Sequence, residues 1–392
     1  MVSIVGVGTA ENMMTQKACE TIRRAEVVIG ASRIMDSYRE YFNGKTVFSE
    51  VNIAKIKEIV RNFETKEIAV LVSGDTGFYS LANSLIREIP SCEVIPGISS
   101  VNSFFAKQKE TWQDAALISV HGRNKNFVDT VRRNRKTFVL TGGNIEEVAQ
   151  SLAKAGFGDL EVYVGSNLDT PEEVMEHTTV SGLLGKSYEI LSVLFIINEK
   201  WNASCPCGIP DEEFERGEVP MTKAEVRSAI IGKLRITPRD TCYDIGAGTG
   251  SVTVEMALSA YEGKVIAIEK RKEGVELIHQ NLRKFHIGNA EVIQGEALQV
   301  LEREDLPPAD VVFVGGSNGT LKEIIASLYK KNPKARMVVS AVALETLQVA
   351  TETFKTLNIE TEIVQISVAK SREISGLHMM MANNPVYLIR GL

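Results

Sequence analysis

The sequence predicts two α/β domains in tandem, each built around a largely parallel sheet. Two observations predict this class. Short β-rich runs alternate with helical patterns along the chain, and 392 residues exceed what one typical core holds. Strands that alternate with helices favour parallel sheets, because each crossover helix carries the chain back to the same edge. No sequence repeat relates the halves, so two unlike folds are expected.

In the first half, the predicted strands are short runs rich in β-branched residues. They span residues 2–7, 26–29, 68–73, 116–120, 137–140, 161–166 and 192–197. Helical patterns between them cover residues 15–25, 52–62 and 145–155. This alternation predicts the first α/β domain over residues 1–200.

Residues 201–218 interrupt the alternation. They hold Cys205-Pro206-Cys207-Gly208 and then a charged stretch over 211–218. Proline, glycine and charge together favour a linker over 201–218. A long surface loop inside one larger domain remains the alternative interpretation.

The second half, 219–392, alternates in the same way. The predicted strands cover 242–245, 264–269, 290–294, 311–315, 336–340, 361–369 and 386–389. The predicted helices cover 226–234, 251–258, 273–285, 321–329 and 344–357. This alternation predicts a second α/β domain with a sheet of seven strands.

Composition excludes several classes of function. Hydrophobic residues make up 44% and charged residues 24%, as in ordinary globular proteins. The net charge of −6 offers no global basic field for nucleic acid. The longest obvious apolar run, 193–197, is too short to span a membrane, and no charged-then-apolar leader opens the sequence. We therefore expect a cytoplasmic protein that binds neither nucleic acid nor a membrane.

The five cysteines are Cys19, Cys92, Cys205, Cys207 and Cys242. An odd count without regular spacing argues against a disulfide framework. No second cysteine or histidine pair completes a zinc site around Cys205 and Cys207. We expect reduced thiols and no metal centre.

The strongest local motif is Asp244-Ile-Gly-Ala-Gly-Thr-Gly-Ser251, which contains a glycine-rich turn. Glycines at this position let the backbone turn sharply and approach a ligand closely. The spacing is Gly-x-Gly-x-Gly, which differs from that of dinucleotide enzymes. The next strand ends at Glu269, where a carboxylate can accept hydrogen bonds from ribose hydroxyls.

This combination resembles the class I S-adenosylmethionine methyltransferases, and the resemblance implies a Rossmann-like fold with a seven-stranded sheet. The resemblance implies that Asp244 lies near the methionine end of the cofactor and that Glu269 binds its ribose. It implies that the glycine turn passes beneath the ligand and that a later segment lies beside adenine. The residues concerned are Gly246, Gly248 and Gly250 for the turn, and Glu296 and Ala297 for the adenine.

Two further segments narrow the resemblance. The fourth strand ends in Gly315-Gly316-Ser-Asn-Gly, which leaves open space for a broad flat substrate. Pro220-Met-Thr-Lys223 is separated by one residue from Glu225-Val-Arg227. Together they resemble the entry segment of decarboxylating precorrin methyltransferases that act at carbon 15. The match covers about residues 208–392, and Lys223 and His378 are candidates for steering the substrate acid. Thr222 capping the following helix is the plainer interpretation of that segment.

The first half resembles a different family, the tetrapyrrole (class III) methyltransferases, whose fold consists of two small α/β lobes. Four strand-end segments carry the resemblance: 6–9, 73–80, 96–100 and 140–143. It implies that the cofactor contacts Gly8, Gly74, Asp75, Ser99, Ser100 and Thr141. Thr76 stands where that family often has proline, which makes the local loop shape less certain. The segment His121-Gly-Arg123 resembles members that methylate carbon 5, which makes both residues candidate catalytic groups.

Fusion in this order resembles the decarboxylating precorrin-6Y C(5,15)-methyltransferase family of cobalamin (vitamin B12) synthesis. The resemblance implies two S-adenosyl-L-methionine sites, a tetrapyrrole substrate of the precorrin-6/7 type, and a homo-oligomer, with a tetramer favoured. Such a polycarboxylate needs local cations: Arg123 is the preferred candidate, and Lys223, Arg227, Lys370, Arg372 and His378 are weaker ones. A solvated helix face is favoured for Arg132, Arg133, Arg135 and Lys136.

Three alternatives stay open from the sequence alone. An RNA or protein methyltransferase with an accessory α/β domain would also explain the pattern from Asp244 to Glu269. A nicotinamide-dependent oxidoreductase is disfavoured by the glycine spacing. A non-catalytic binding module would turn over no tetrapyrrole.

Overall fold

The structure, a computed structural model, describes residues 1–120 and 126–391, which divide into two compact units. The first unit contains two five-stranded sheets and the second contains a seven-stranded sheet. Segments 126–133 and 150–158 group with the second unit. The predicted α/β class is confirmed in both halves. The domain boundaries at 200 and 219 stay a prediction.

The first sheet of the first unit is parallel throughout, with strand order β3-β2-β4-β1-β5. Its strands are β1 Val2–Gly6, β2 Val27–Gly30, β3 Thr46–Ser49, β4 Ile68–Val72 and β5 Glu93–Ile95. Every residue of β2 and β4 is buried. A strand buried on both faces needs a continuous apolar run, as found in parallel sheets covered by helices.

The second sheet mixes parallel and antiparallel pairs in the order β6-β7-β10-β8-β9. Its strands are β6 Ala115–Ser119, β7 Lys136–Leu140, β8 Glu161–Ser166, β9 Val174–Thr179 and β10 Ser192–Ile197. β9 lies at the edge with mostly exposed residues. Aromatic rings of Phe104, Phe105, Phe138 and Phe195 pack together beneath this sheet.

The sheet of the second unit has the order β13-β12-β11-β14-β15-β19-β16. Its strands are β11 Thr241–Ile245, β12 Lys264–Glu269, β13 Ala290–Gln294, β14 Val311–Val314, β15 Arg336–Ala341, β16 Thr361–Ile366 and β19 Val386–Gly391. β19 runs antiparallel to both neighbours. The chain moves outward from β11 to β13 and then returns to β14 on the other side of β11. Such a topological switch leaves a crevice at the carboxyl ends of the strands.

Helices flank the sheets of both units. In the first half they are α1 Gln16–Arg24, α2 Ser32–Ser37, α3 Ile53–Asn62, α4 Ala82–Glu88, α5 Ser100–Gln108, α6 Phe127–Arg133 and α7 Ile145–Lys154. In the second half they are α8 Ala224–Leu234, α9 Ser251–Ser259, α10 Lys272–Lys284, α11 Ala297–Leu301, α12 Leu321–Lys331 and α13 Leu344–Thr356. The side chains of Thr15, Asn52 and Ser99 accept a backbone hydrogen bond at the first turns of α1, α3 and α5. Each thereby satisfies a free N–H group at a helix start.

A β-hairpin corrects one sequence prediction. The strand predicted over 361–369 ends at Ile366, and the chain then forms β17 Ala369–Ile374 and β18 Leu377–Ala382. Ser375 and Gly376 both have positive φ, as a two-residue hairpin turn requires. Every residue of both strands is exposed, with Leu377 at 70% and Met380 at 65%. Across residues 1–120 and 126–391, no helix is long and apolar enough to cross a membrane.

Candidate active site

A cavity of about 560 Å³ opens at the carboxyl ends of β11, β12 and β14 in the second unit. Its lining includes the predicted residues Asp244, Gly246, Gly248, Glu269, Glu296 and Ala297. It also includes Gly315 and Gly316 after β14, and the segment from Val219 to Lys223. The fold therefore brings residues from these five separate stretches of sequence to one crevice.

The glycine turn after β11 allows close backbone packing. Gly246, Gly248 and Gly250 have φ values of 72°, 58° and 76°, a region that side chains disfavour. A Cβ atom on Gly246 would lie 2.6 Å from the carbonyl oxygen of Gly316. A Cβ atom on Gly248 would lie 2.9 Å from the carbonyl oxygen of Pro220. The turn thus lets its own backbone form the floor of the cavity.

Asp244 is the second-last residue of β11 and is fully buried. Its Oδ2 accepts a hydrogen bond of 2.5 Å from the Thr253 hydroxyl, while its Oδ1 has no partner among the described residues. Burial raises the pKa of this carboxyl to about 7, more than the Thr253 hydrogen bond lowers it. A buried acceptor without a donor at a cavity wall fits a cationic or hydrogen-bonding ligand group.

Glu269 ends β12 and is held by two backbone donors. Its Oε2 accepts from the Gly248 N–H and its Oε1 from the Arg271 N–H, both at 2.8 Å. A carboxylate oxygen has a second lone pair, so each can still accept a ligand hydroxyl. Gly274 on α10 packs closely against the Glu269 side chain, and a Cβ atom there would lie only 2.7 Å from Glu269 Cγ. The carboxylate is therefore fixed in orientation before any ligand arrives.

Of the remaining predicted residues of the second unit, Glu296, Ala297 and Lys223 line the cavity and Gly250 does not. Glu296 lies at the start of α11 and pairs with Lys270 at 2.5 Å, at the edge of the cavity with Ala297. Lys223 also lines the cavity, and its Nζ lies 3.5 Å from Asp211 Oδ2. Gly250 does not line the cavity; its backbone packs against Ile278 of α10.

Two predicted positions are corrected. His378 lies on the exposed strand β18 opposite Glu373 and is not among the residues that line the cavity, because the chain turns away into the hairpin. Arg227 is fully buried and donates to Glu255 at 2.7 Å and Asp211 at 3.2 Å. An arginine already neutralised by two carboxylates is not a free cation for substrate acids.

In the first unit, Gly8 and Gly74 form an isolated antiparallel bridge, with N–H to carbonyl distances of 3.1 and 2.9 Å. Asp75 accepts hydrogen bonds from the backbone N–H of Gly77 at 2.6 Å and of Gly97 at 3.2 Å. A Cβ atom on Gly97 would lie 2.1 Å from the carbonyl oxygen of Gly74. The ends of β1, β4 and β5 are thereby joined backbone to backbone.

The other predicted cofactor residues of the first unit are Ser99, Ser100 and Thr141. A Cβ atom on Gly74 would be 3.8 Å from Ser99 Cα, so Ser99, and Ser100 after it, adjoin this bridge. The Ser99 hydroxyl donates to Asn102 at 2.6 Å. Thr141 is buried after β7 and donates to the carbonyl of Ser192 at 2.7 Å. His121 and Arg123 lie outside the described residues.

The solvated helix face predicted for four cations is wrong for two of them. Arg132 is buried and donates to Asp129 at 2.9 Å. Lys136 is buried and lies 3.1 Å from Glu110 and 3.2 Å from Asp114. Arg132 pairs with a buried acid, whereas the partners of Lys136 are exposed at the surface. A charge pattern in sequence does not distinguish either pair from a solvated face.

Sequence reasoning missed a polar cluster beside Gly8. Asp169 accepts a hydrogen bond from the Thr9 hydroxyl and pairs with Lys107 at 3.0 Å. Burial alone would raise the pKa of Asp169, but hydrogen bonds from Ser103, Thr9 and Lys107 outweigh it and hold the pKa below its ordinary value. Asp169 is 160 residues from Thr9, so no local spacing signals this contact.

Sequence reasoning also missed Gly274 beside Glu269. This residue was detectable, because an isolated glycine in a helical pattern signals close packing.

Parallel strands that end in a glycine turn and two carboxylates are typical of S-adenosylmethionine-dependent methyltransferases. Residues 212–390 match the precorrin methyltransferase domain, and residues 1–184 match the tetrapyrrole (corrin/porphyrin) methylases. A probable cobalt-precorrin-6B C(15)-methyltransferase (decarboxylating) of Sulfurisphaera tokodaii is 41% identical over 187 residues, covering 47% of this chain and 96% of the relative. The chain belongs to the precorrin methyltransferase family.

Two further similarities are of the same kind. The corresponding probable enzyme of Pyrobaculum calidifontis is 42% identical over 192 residues, covering 48% of this chain and 97% of its own. A crystal structure described as a precorrin-6Y C5,15-methyltransferase from Geobacter metallireducens is 35% identical with a TM-score of 0.45, covering 47% of this chain and 95% of that one.

Replacing Gly246 by alanine is expected to destabilise the second unit by roughly 2 to 4 kcal/mol. The added Cβ atom would sit on a residue with left-handed backbone and would clash with Gly316. Gly232→Ala is the matched control: Gly232 lies exposed within α8 with no atom near its Cβ position. Alanine there should stabilise by about 0.5 to 1 kcal/mol. Thermal unfolding of both variants measures this, and equal effects would contradict the packing described for Gly246.

Asp244 should make the stability of the second unit depend on pH. Its folded pKa of about 7 lies above the unfolded value, so its contribution is fully present below about pH 4 and is lost as pH rises through 7. Asp244→Asn removes this dependence. The free energy of unfolding of wild type minus that of D244N should therefore fall between pH 4 and pH 8. A difference that stays constant over this range would refute the raised pKa.

Proposed function

We propose that this chain is a bifunctional S-adenosylmethionine-dependent C-methyltransferase of cobalamin synthesis that binds one cofactor in each domain. The first domain would methylate carbon 5 of a precorrin-6/7 type macrocycle. The second would methylate carbon 15 and decarboxylate the acetate side chain on ring C. Two different family matches in one chain support this assignment, since both name the same class of macrocycle.

The observation that carries the proposal is the cavity of the second unit. The unpartnered Oδ1 of buried Asp244 suits the ammonium group of the cofactor's methionine portion. Glu269, held by two backbone N–H groups, retains lone pairs for the ribose hydroxyls. The open backbone at Gly246 and Gly248 allows a ligand to lie directly on the turn. Residues beside Glu296 and Ala297 would flank the adenine.

The bound cofactor would supply an electrophilic methyl group on a sulfonium. The chain's own contribution is alignment, which can be worth about 7–11 kcal/mol when donor and acceptor are held correctly. Gly315 and Gly316 carry no side chains, so they leave room for a flat acceptor beside the cofactor site. Lys223 lines the cavity with a partly exposed ammonium and is our candidate for orienting a substrate carboxylate.

In the first unit, we assign the cofactor site to Gly8, Gly74, Asp75, Ser99, Ser100 and Thr141. The bridge between Gly8 and Gly74 supports this assignment, because it joins two strand ends without side chains. The carboxylate of Asp75 is half-buried beside it and orients the Gly97 loop. His121 and Arg123 remain proposals from the sequence alone.

Calorimetry on the intact chain with S-adenosylhomocysteine tests the two-site proposal. Wild type should bind two equivalents, and Glu269→Ala and Asp75→Ala should each remove one. Glu291→Ala is the control, because this carboxylate on the neighbouring strand β13 is exposed and pairs only with a surface lysine in the contacts described, Lys264 at 2.6 Å. One equivalent in wild type would contradict the proposal.

The reaction itself is tested with methyl-labelled cofactor and metal-free or cobalt-bearing late precorrins. Wild type should add two labelled methyl groups to each macrocycle and release one carbon dioxide. E269A should release no carbon dioxide, because the second cavity drives that step. Transfer of label to RNA or protein instead of the macrocycle would favour the alternative methyltransferase.

We also propose a cytoplasmic homo-oligomer, with a tetramer favoured. The exposed hairpin of β17 and β18 supports self-association, because Leu377, Met379 and Met381 share one face on an isolated two-stranded ribbon. Two strands alone are marginally stable in water, so such a face gains stability when covered.

Replacing Met379 and Met381 together by glutamate should lower the molecular mass of the assembly, because buried like charges oppose apolar contact. Light scattering after size-exclusion chromatography measures this mass. Ala326→Glu, on the exposed surface of α12, adds a charge away from the hairpin and should leave the mass unchanged. An unaltered mass in the double variant would eliminate the hairpin as the contact.

A further inference from the structure

Part of the segment predicted as a linker, from Gly208 onward, is anchored to the second unit, whereas residues 201–207 are exposed. Residues 208–222, called the strap below, run from Gly208 to the cavity and contact helices α8, α9 and α10. Phe214 of the strap is buried, packs against Phe285 at 4.8 Å, and lies beneath the Arg227 guanidinium at 4.7 Å. A segment with buried aromatic and polar anchors is part of a folded unit, whatever its composition suggests.

The first anchor of the strap is a buried ion cluster. Glu255 of α9 accepts hydrogen bonds from the backbone N–H groups of Gly208 and Ile209, both at 3.0 Å. Arg227 of α8 donates to Glu255 at 2.7 Å and also to the carbonyl oxygens of Ile209 and Thr222. Arg227 and Glu255 are both fully buried. One guanidinium therefore holds both ends of the strap.

The second anchor is Asn281 of α10, which is fully buried. Its Oδ1 accepts from the Glu215 N–H at 2.7 Å, and its Nδ2 donates to the Glu215 carbonyl at 3.1 Å. The same Nδ2 donates to the carbonyl of Thr249 at 2.9 Å. Thr249 lies between Gly248 and Gly250, so one amide joins the strap to the glycine turn.

The far end of the strap forms part of the cavity wall. Val219, Pro220, Met221 and Thr222 all line the cavity. The Pro220 carbonyl packs against Gly248 so closely that a Cβ there would lie 2.9 Å away. Asn281 itself does not line the cavity. Its influence on a ligand must therefore pass through the strap and the glycine turn.

We propose that Asn281 is a positioning residue for the second cofactor site: its amide sets the distance between the strap wall and the glycine floor. The proposal rests on the proposed function, which assigns this cavity to S-adenosylmethionine. The amide satisfies both the N–H and the C=O of Glu215 and one carbonyl of the turn, and these groups lose their partners together when the side chain is truncated. The two surfaces of the cavity then move independently.

The test compares Asn281→Ala with Asn289→Ala in the full-length protein. Asn289 is the matched control, because its Nδ2 also donates to backbone carbonyls, those of Ala257 and Ala260 at 3.1 and 2.8 Å, but touches neither strap nor turn. N281A should weaken S-adenosylhomocysteine binding at the second site by about tenfold or more. N289A should lower the melting temperature comparably and leave this affinity within about twofold.

Two further readouts separate positioning from general destabilisation. Amide hydrogen exchange of strap residues 215–222 should accelerate in N281A and stay unchanged in N289A. In carbon-15 methylation, N281A should raise the KM for the cofactor more than it lowers kcat. Asn281→Asp keeps the acceptor but loses both donors, and it should behave like N281A.

The outcomes are distinguishable from failure of the proposed function. The second site is identified as the cofactor binding event that Glu269→Ala removes. If wild type shows no such event, the assignment of the cavity to the cofactor fails. If wild type binds and N281A binds equally well, or if N289A weakens binding as much as N281A does, the positioning role of Asn281 is overturned. Lys284→Met, which removes only the exposed pair with the Glu215 side chain at 2.7 Å, should bind like wild type.

Discussion

The close approach of bare backbone at the carboxyl ends of parallel strands is the constraint on which both sites depend. In the second unit, Gly246 packs against Gly316 with no room for a Cβ atom. In the first unit, Gly97 packs in the same way against Gly74 and Gly6. The folds are unlike, yet each brings strand ends together through glycines, because side chains there would hold the loops apart. The surface left between the loops is where a ligand can lie on backbone N–H groups.

Buried charges in the second unit serve two different purposes. Arg227, Glu255 and Asp211 neutralise one another and hold backbone groups of the strap, so their charges are fully engaged in structure. Asp244 is equally buried, but it receives one hydroxyl hydrogen bond and keeps an oxygen without a partner among the described residues. Its burial raises its pKa to about 7. Removing a carboxylate from water without a partner costs free energy that a bound cation can recover. The unbalanced carboxylate, and not the buried salt bridge, is therefore the one that indicates a ligand.

Local sequence patterns predicted most of the parallel strands, because β2, β4, β12 and β14 contain continuous apolar runs. They missed β3, β5 and β9, which are short or exposed edge strands with mixed polarity. The β17–β18 hairpin was not predicted, because its residues are all exposed and carry no burial alternation. The glycine turn, Asp244 and Glu269 were predicted as one group because their spacing follows from a single β-α-β unit, and Asp244, Gly246, Gly248 and Glu269 line one cavity. His378 lies on the exposed strand β18 and Arg227 pairs with buried acids, and local spacing shows neither placement.

The strap shows why composition is a poor guide to whether a segment is free. Residues 201–218 contain proline, glycine and many charges, a typical linker composition, and charged residues do increase the exposure of an isolated segment. Here the charges Asp211 and Glu215 sit on a segment whose backbone is fixed by Arg227, Glu255 and Asn281. These partners lie up to 66 residues away in sequence, and the information that fixes the strap is therefore carried by the helices, not by the strap itself. Because the strap ends at the cavity wall, the shape of the second site depends on helix faces that touch no ligand.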